Sequence, residues 1–335
     1  MISYFNSAYP ARYLVALLLA FILWLPSLTF STYVPVQESL FSHLELAGFI
    51  RTYSRFFVWG SFVLTYISAV AINQILRAND LVNINNTRGL ALFIVFASAI
   101  PLFTSVNVIT FANLFLILVI QGILRLSQVE NPVNVIFNTS FFAGIASLFF
   151  SPLLFLVIII WMALIMNRHV DIRNFIISLA GLLLPYLFLF TWFFWNGTLT
   201  EHWYDAIGQL AEVGLSNTMG NLGVFDMIVL MLSLLILIFA VLKAIGRFGE
   251  VSIYARRNIL ITLYYLMLTF LITLFYSETV LPLLILVPPA AMLVAATAYA
   301  KKNKWWNILF TLYVLLILIN QYSSYISDVK ALFFR

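Results

Sequence analysis

The stretch Asn134–Trp195, NVIFNTSFFAGIASLFFSPLLFLVIIIWMALIMNRHVDIRNFIISLAGLLLPYLFLFTWFFW, decides the fold. All of its Asp, Glu, Lys and Arg fall in one short piece, Arg168-His169-Val170-Asp171-Ile172-Arg173, with apolar sequence on both sides. The run after that piece, 174–195, is about 33 Å long as a helix at 1.5 Å per residue, enough to cross the hydrocarbon of a bilayer. The run before it, 134–166, would reach about 50 Å as a single helix, which is too long. It therefore folds back at Ser151-Pro152 as a tight hairpin, either crossing twice or dipping in and returning.

The same pattern extends along the whole chain of 335 residues, of which 64% are hydrophobic and 9% charged, with a mean hydropathy of +1.06. So little polar material cannot cover a soluble domain. Runs that are apolar throughout, without strand-like alternation, select helices over a barrel. Eleven segments follow, at about 13–30, 56–76, 89–104, 108–124, 134–150, 152–167, 174–195, 225–243, 259–276, 280–300 and 305–320. The expected architecture is an all-α polytopic transmembrane bundle of about eleven spans, with residues 1–335 forming one integral membrane domain. The run 89–124, interrupted near Pro101–Asn107, is a second hairpin for the same reason as 134–167. The first run, Tyr13–Phe30, is too long for the apolar core of a signal peptide and reads as a span.

Charge sets the orientation. Arg12, Arg77, Arg88, Arg125, Arg168, Arg173, Lys243, Arg247, Arg256, Arg257, Lys301, Lys302 and Lys304 fall in every second gap, whereas the alternate gaps hold Arg51, Arg55, Lys330 and Arg335. Positive charge concentrates on the cytoplasmic side, so the N-terminus is expected in the cytoplasm and the C-terminus outside, in a cell inner membrane. Most acids (Glu38, Glu45, Glu201, Asp205, Glu212, Asp226, Glu278 and Asp328) fall on the outer side. Trp59, Trp192, Trp195, Trp305 and Trp306 lie near span ends, the usual depth of interfacial aromatics. The net charge of +5 belongs to these flanks and gives no reason to expect nucleic acid. The bilayer is the first partner, with a lipid-linked substrate and other membrane proteins as further candidates.

Two outer loops, 31–55 and 196–224, carry amphipathic patterns suited to helices lying on the membrane surface. In the first, Glu38 and Glu45 are two helical turns apart and can face one pocket, as a general base for an acceptor hydroxyl or a holder of a divalent metal would. Arg51 and Arg55, one turn apart on the side where positive charge is scarce, suit a phosphate or diphosphate through bidentate hydrogen bonds. The plainer readings are an acid-rich outer face and ordinary anchoring of a helix end to lipid phosphate. Glu201, His202 and Asp205 form a secondary polar cluster in the second loop, readable as metal ligands but, without a spacing motif, more plainly as the solvated face of an interfacial helix. With no Cys and only His43, His169 and His202, no metal site is assigned, and the residues name no particular cofactor. Asn196-Gly197-Thr198 fits a glycosylation sequon, which matters only in a eukaryote. The intramembrane polar residues Asn107, Asn113, Gln121, Asn134, Asn138, Thr139 and Ser140 are not ionisable and read mainly as contacts between helices. Gly181, Pro185, Pro282 and Pro288-Pro289 are candidate kinks.

Ile136-Phe137-Asn138, Gly144-Ile145-Ala146-Ser147-Leu148-Phe149 with Pro152, Arg168, Asn174 and Gly181-Leu182-Leu183-Leu184-Pro185-Tyr186 together resemble an uncharacterised bacterial multi-pass membrane family. Its members are sometimes labelled β-carotene oxygenases. The soluble carotenoid oxygenases hold iron with four His, and this chain has three, with His169 on the membrane face opposite the other two. In layout the chain is also similar to the GT-C glycosyltransferases, which use polyprenyl-phosphate sugars and carry an acidic catalytic residue in a first outer loop. That resemblance implies Glu38 or Glu45 as the base and Arg51 with Arg55 as a clamp on the lipid phosphate. A transporter or flippase, expected to show a midplane cavity lined by Asn107, Asn113, Gln121 and Asn138, is one alternative. A non-catalytic membrane subunit of a cell-envelope assembly is the other.

Overall fold

The computed structural model describes residues 2–5, 9, 11–29, 53–82, 86–200, 204, 208, 222–276, 279–297 and 304–333, with the side chains of 2, 3, 304–306 and 324–333 excepted. Among these residues all regular structure is helical. The α-helices are α1 (Ala11–Thr29), α2 (Ser54–Ala78), α3 (Arg88–Ala97), α4 (Val108–Arg125), α5 (Val133–Phe149), α6 (Leu156–Met166), α7 (Ile172–Trp195), α8 (Val224–Gly246), α9 (Ile253–Tyr276), α10 (Val287–Thr297) and α11 (Lys304–Phe333). Each falls on one of the eleven apolar segments. Six of them are long and apolar enough to cross a membrane, namely α1, α2, α4 with its 3-10 extension to Gln128, α7, α8 and α9. This supports a multi-pass membrane protein.

Contacts between chain-distant residues define two ends of the bundle. At the first, Thr87 N–H donates to the Phe5 carbonyl at 2.9 Å, and Arg77 reaches the Tyr13 hydroxyl. Tyr254 donates to Asn79 Oδ1 at 3.2 Å, Gln128 binds both of them, and a ring nitrogen of His169 lies 3.2 Å from the Leu126 carbonyl. Arg247 donates to the Ala296 carbonyl at 3.0 Å at the same end. At the second end, Trp24 Nε1 donates to Ser98 Oγ at 3.0 Å, Gln321 to the Ser98 carbonyl at 3.0 Å, and Asn320 to Asp226 at 2.7 Å. Phe111 stacks on Phe149 and Phe155 packs on Tyr276 there as well. Successive α-helices therefore run alternately between the two ends. The chain breaks at 98–107 and 150–155 and returns, so both overlong runs are hairpins.

Two short helices lie at the centre. Every residue of α3 and every residue of α10 is buried. They pack on each other, with α1 and α2 against α3 and with α8 and α9 against α10. Because neighbours shield them from lipid, their ends can depart from helix, provided the freed backbone groups find partners inside the protein. Polar side chains supply those partners. Gln321 takes the Ser98 carbonyl, Thr104 Oγ1 that of Pro101, Ser105 Oγ that of Leu102, and Asn107 that of Ser105. Asn113 donates to the Leu284 carbonyl at 3.0 Å, in the 3-10 turn Leu281–Leu286 that leads into α10. Of the intramembrane polar residues, Asn107 and Asn113 thus serve helix breaks.

The prolines differ from their reading as kinks. Pro282 opens the 3-10 turn, and Pro288-Pro289 lie in the first turn of α10, where a missing N–H costs no helical hydrogen bond. Pro185, like Pro26 in α1, does lie inside a helix. Three helices end alike. His169 N–H donates to the Leu164 carbonyl, Leu81 N–H to Leu76 and Thr198 N–H to Phe193, with Arg168, Asp80 and Gly197 at positive φ between donor and acceptor. This is the Schellman termination, which satisfies carbonyls at the helix end.

Candidate functional site

Arg55 stands in the first turn of α2 at the second end of the bundle, with its side chain exposed. It is flanked by Phe56, 76% exposed, and Trp59, 48% exposed, as suits a helix end at a lipid interface. The N-cap of α2 is Tyr53, whose side chain makes no capping hydrogen bond. A cation at this position is opposed by the positive end of the helix dipole, whereas an anion is favoured there by both. Apart from Lys330, whose backbone lies at the far end of α11, the other described basic residues sit at the opposite end of the bundle. Among the described residues, Arg55 and Lys330 are thus set apart from the other basic residues.

Its expected companions Glu38, Glu45 and Arg51 lie outside the described residues, as do Glu201, His202 and Asp205 of the secondary cluster. Of the two surface loops, 31–52 and nearly all of 201–221 are outside them too. Tyr204 is described and exposed.

The polar residues expected to line a midplane cavity do not converge. Asn107 is the N-cap of α4, accepting from Thr110 N–H at 2.9 Å and from its hydroxyl at 3.0 Å. Asn113 holds Leu284, and its Oδ1 is buried without a hydrogen-bond partner among the described residues. Gln121 and Asn138 are exposed on α4 and α5. Thr139 bonds back to the Val135 carbonyl at 2.6 Å and packs on Gly122.

Several polar residues in the structure were not singled out by sequence reasoning. At the first end, Asn73, in the amide orientation that matches donors with acceptors, accepts from Arg77 at 3.0 Å and donates to the Asn86 carbonyl at 3.2 Å. Asn79, Gln128 and Tyr254 tie together α2, the end of α4 and α9. Along α9, Asn258 is fully buried with neither amide atom bonded among the described residues, and the buried Tyr265 hydroxyl is likewise unbonded. The available signal was an Asn or Gln inside an apolar run, which marks burial against a partner without naming the partner. His169 serves a turn: its carbonyl accepts from Asn174 at 3.0 Å, while Asp171 caps α7 through Arg173 N–H. Among the described residues no three His, Asp or Glu come together as a metal site would need.

Compared with models of protein families, with curated proteins and with solved structures, the chain matches none.

Proposed function

We propose that this chain crosses a bacterial inner membrane eleven times, with its N-terminus in the cytoplasm and its C-terminus outside, and that its outer face acts on a lipid-linked phosphate. The direction follows from the basic residues gathered at the first end of the bundle, which positive-inside places in the cytoplasm. The reaction is the transfer that the GT-C layout implies. An acceptor hydroxyl loses its proton to Glu38 or Glu45 and its oxygen bonds to the anomeric carbon of a polyprenyl-phosphate sugar. The bond from that carbon to the phosphate oxygen breaks, and the polyprenyl phosphate leaves with the electron pair, its charge held by Arg51 and Arg55. The observation that carries this reading is the exposed Arg55 in the first turn of α2, at the end where positive charge is otherwise scarce among the described residues.

The test is binding of radiolabelled undecaprenyl phosphate to the purified chain, together with transfer from a polyprenyl-phosphate sugar in proteoliposomes. Arg51→Gln and Arg55→Gln should each weaken binding about tenfold, the loss of one charge-assisted contact. Either Glu38→Gln or Glu45→Gln should lower turnover by about a hundredfold or more while leaving binding intact. Binding that ignores both arginines removes the site, and binding without any transfer leaves a carrier rather than an enzyme.

A further inference from the structure

The first end of the bundle holds a second, different collection of charge. Lys243, in the last turn of α8, lies within electrostatic reach of Arg247 one turn on and of Arg88 at the start of α3. The charges of Lys243 and Arg88, from two helices, thus bear on each other across one corner of the bundle. Arg88 is 7% exposed, so the corner is not an open, water-screened surface where such repulsion is negligible. The positive end of the α3 dipole adds to the same field.

Arg247 is fixed in this corner. One of its terminal nitrogens donates to the Ala296 carbonyl at 3.0 Å, near the end of α10, and its Nε lies 3.7 Å from a carboxylate oxygen of Glu250. That Nε is buried and makes no hydrogen bond among the described residues. The Arg247 side chain is 21% exposed and Lys243 is half-buried, so the corner opens outward past these two residues.

What borders the opening identifies the ligand. Ala240 and Ala244 of α8 are buried, whereas Leu235, Phe239, Leu242 and Ile245 are exposed, at 62%, 53%, 65% and 49%. Lys243 stands between this apolar face and the buried one, and Arg247, one turn on, continues the line of the buried one. A molecule with hydrocarbon chains on the apolar face would place its headgroup on the two cations, with Arg88 behind them. Guanidinium and ammonium groups bind phosphate oxygens through charge-assisted hydrogen bonds. Basic pockets between membrane helices near the cytoplasmic surface suit anionic headgroups.

We propose that Arg88, Lys243 and Arg247 form a binding site for a phosphate-bearing anion, the headgroup of an anionic phospholipid in the leaflet at this end of the bundle. The site is independent of the outer-face reading, because it lies at the other end and uses none of the same residues.

The experiment uses the full chain in detergent, with native mass spectrometry and thermal unfolding as paired readouts. The probes are dioleoyl phosphatidylglycerol, dioleoyl phosphatidylcholine and inorganic phosphate. Phosphatidylglycerol should be retained and raise the melting temperature, and phosphatidylcholine should do neither. Lys243→Gln should weaken retention at least tenfold while sparing the Arg247–Ala296 bond, and Arg88→Gln should do the same. Arg256→Gln, an exposed cation at the start of α9, should leave retention unchanged. If Arg88→Gln fails to fold because its side chain is buried, Lys243→Gln decides. A melting shift with inorganic phosphate but not with lipid, lost in Lys243→Gln, supports the anion site and assigns it to free phosphate. Equal retention of the two lipids, retention indifferent to Lys243→Gln, or no response to either anion overturns the proposal.

Discussion

Gly144 of α5 lies directly against the Leu182 carbonyl of α7, and a Cβ on Gly144 would also come within 3.0 Å of the Pro185 ring. The relation is reciprocal, because a Cβ on Gly181 would come within 2.7 Å of the Phe137 carbonyl and 3.0 Å of Ser140 Cβ. Small residues on both helices let the backbones meet, as in lipid, where close packing replaces the hydrophobic drive between helices. Tyr186 closes the pair by donating to Ser147 at 2.9 Å, and Ser147 donates to the Gly144 carbonyl at 2.7 Å. Gly144→Val should therefore cost about 1–3 kcal/mol, the usual range for overpacking. Gly60 in α2 has nothing within 4 Å of its Cβ position, and Gly60→Ala should gain about 0.5–1 kcal/mol from helix propensity. Thermal unfolding in one detergent compares the two. Equal effects would mean that the α5–α7 approach is looser than these contacts.

The shared helix terminations make a second pair of opposite expectations. Gly197 has φ +71 with nothing within 4 Å of its Cβ position, so Gly197→Ala is opposed by backbone conformation alone. It should destabilise by about 1 kcal/mol, the cost of a left-handed residue with a Cβ. Arg168 occupies the same position after α6 at φ 61, and Arg168→Gly should be stabilising by a similar amount. Unfolding midpoints that move in the same direction for both variants would refute the common motif.

Trp24 and Ser98 test the buried polar network at the second end. The indole is 1% exposed and donates to Ser98 Oγ at 3.0 Å, while the Ser98 carbonyl accepts from Gln321. Ser98→Ala strands the indole N–H in a dry interior, at a cost of about 1–3 kcal/mol. Trp24→Phe removes both the donor and packing against Phe62. The double variant should lose less than the sum of the two, with the difference measuring the hydrogen bond in a double-mutant cycle. Strict additivity would show that the bond contributes nothing.

Placement along the chain is legible in the sequence because helix length and bilayer thickness constrain it together. Ser151-Pro152 must be a turn because no bilayer accommodates 134–166 as one helix, and the structure turns there. Ala143, Gly144, Ala146 and Ser147 form a packing surface, as small residues in an apolar helix commonly do. The targets of the polar residues are not legible. Asn113 finds Leu284 across 171 positions and Gln321 finds Ser98 across 223, and no local pattern encodes such distances. Gln121 and Asn138 have the same residue types in the same kind of run, yet face outward. For the candidate site, sequence sets Arg51 and Arg55 apart by charge alone, since position along the chain alternates between the two ends of the bundle.

Orientation can be measured directly because the chain has no Cys to give background labelling. Asp80, in the turn after α2, and Glu130, between α4 and α5, belong to the end that carries Arg77, Arg88 and Arg247. Asn196, which follows α7, and Gly223, which precedes α8, belong to the other end. In right-side-out vesicles a membrane-impermeant maleimide should label Asn196→Cys and Gly223→Cys, and should reach Asp80→Cys and Glu130→Cys only after lysis. The physical basis is that moving the basic end across the membrane would put at least ten arginine and lysine side chains on the side that positive-inside leaves depleted. Labelling of Asp80→Cys in intact vesicles would invert the topology. It would also put Arg55 in the cytoplasm, where a transferase using outer-face lipid-linked sugars could not work.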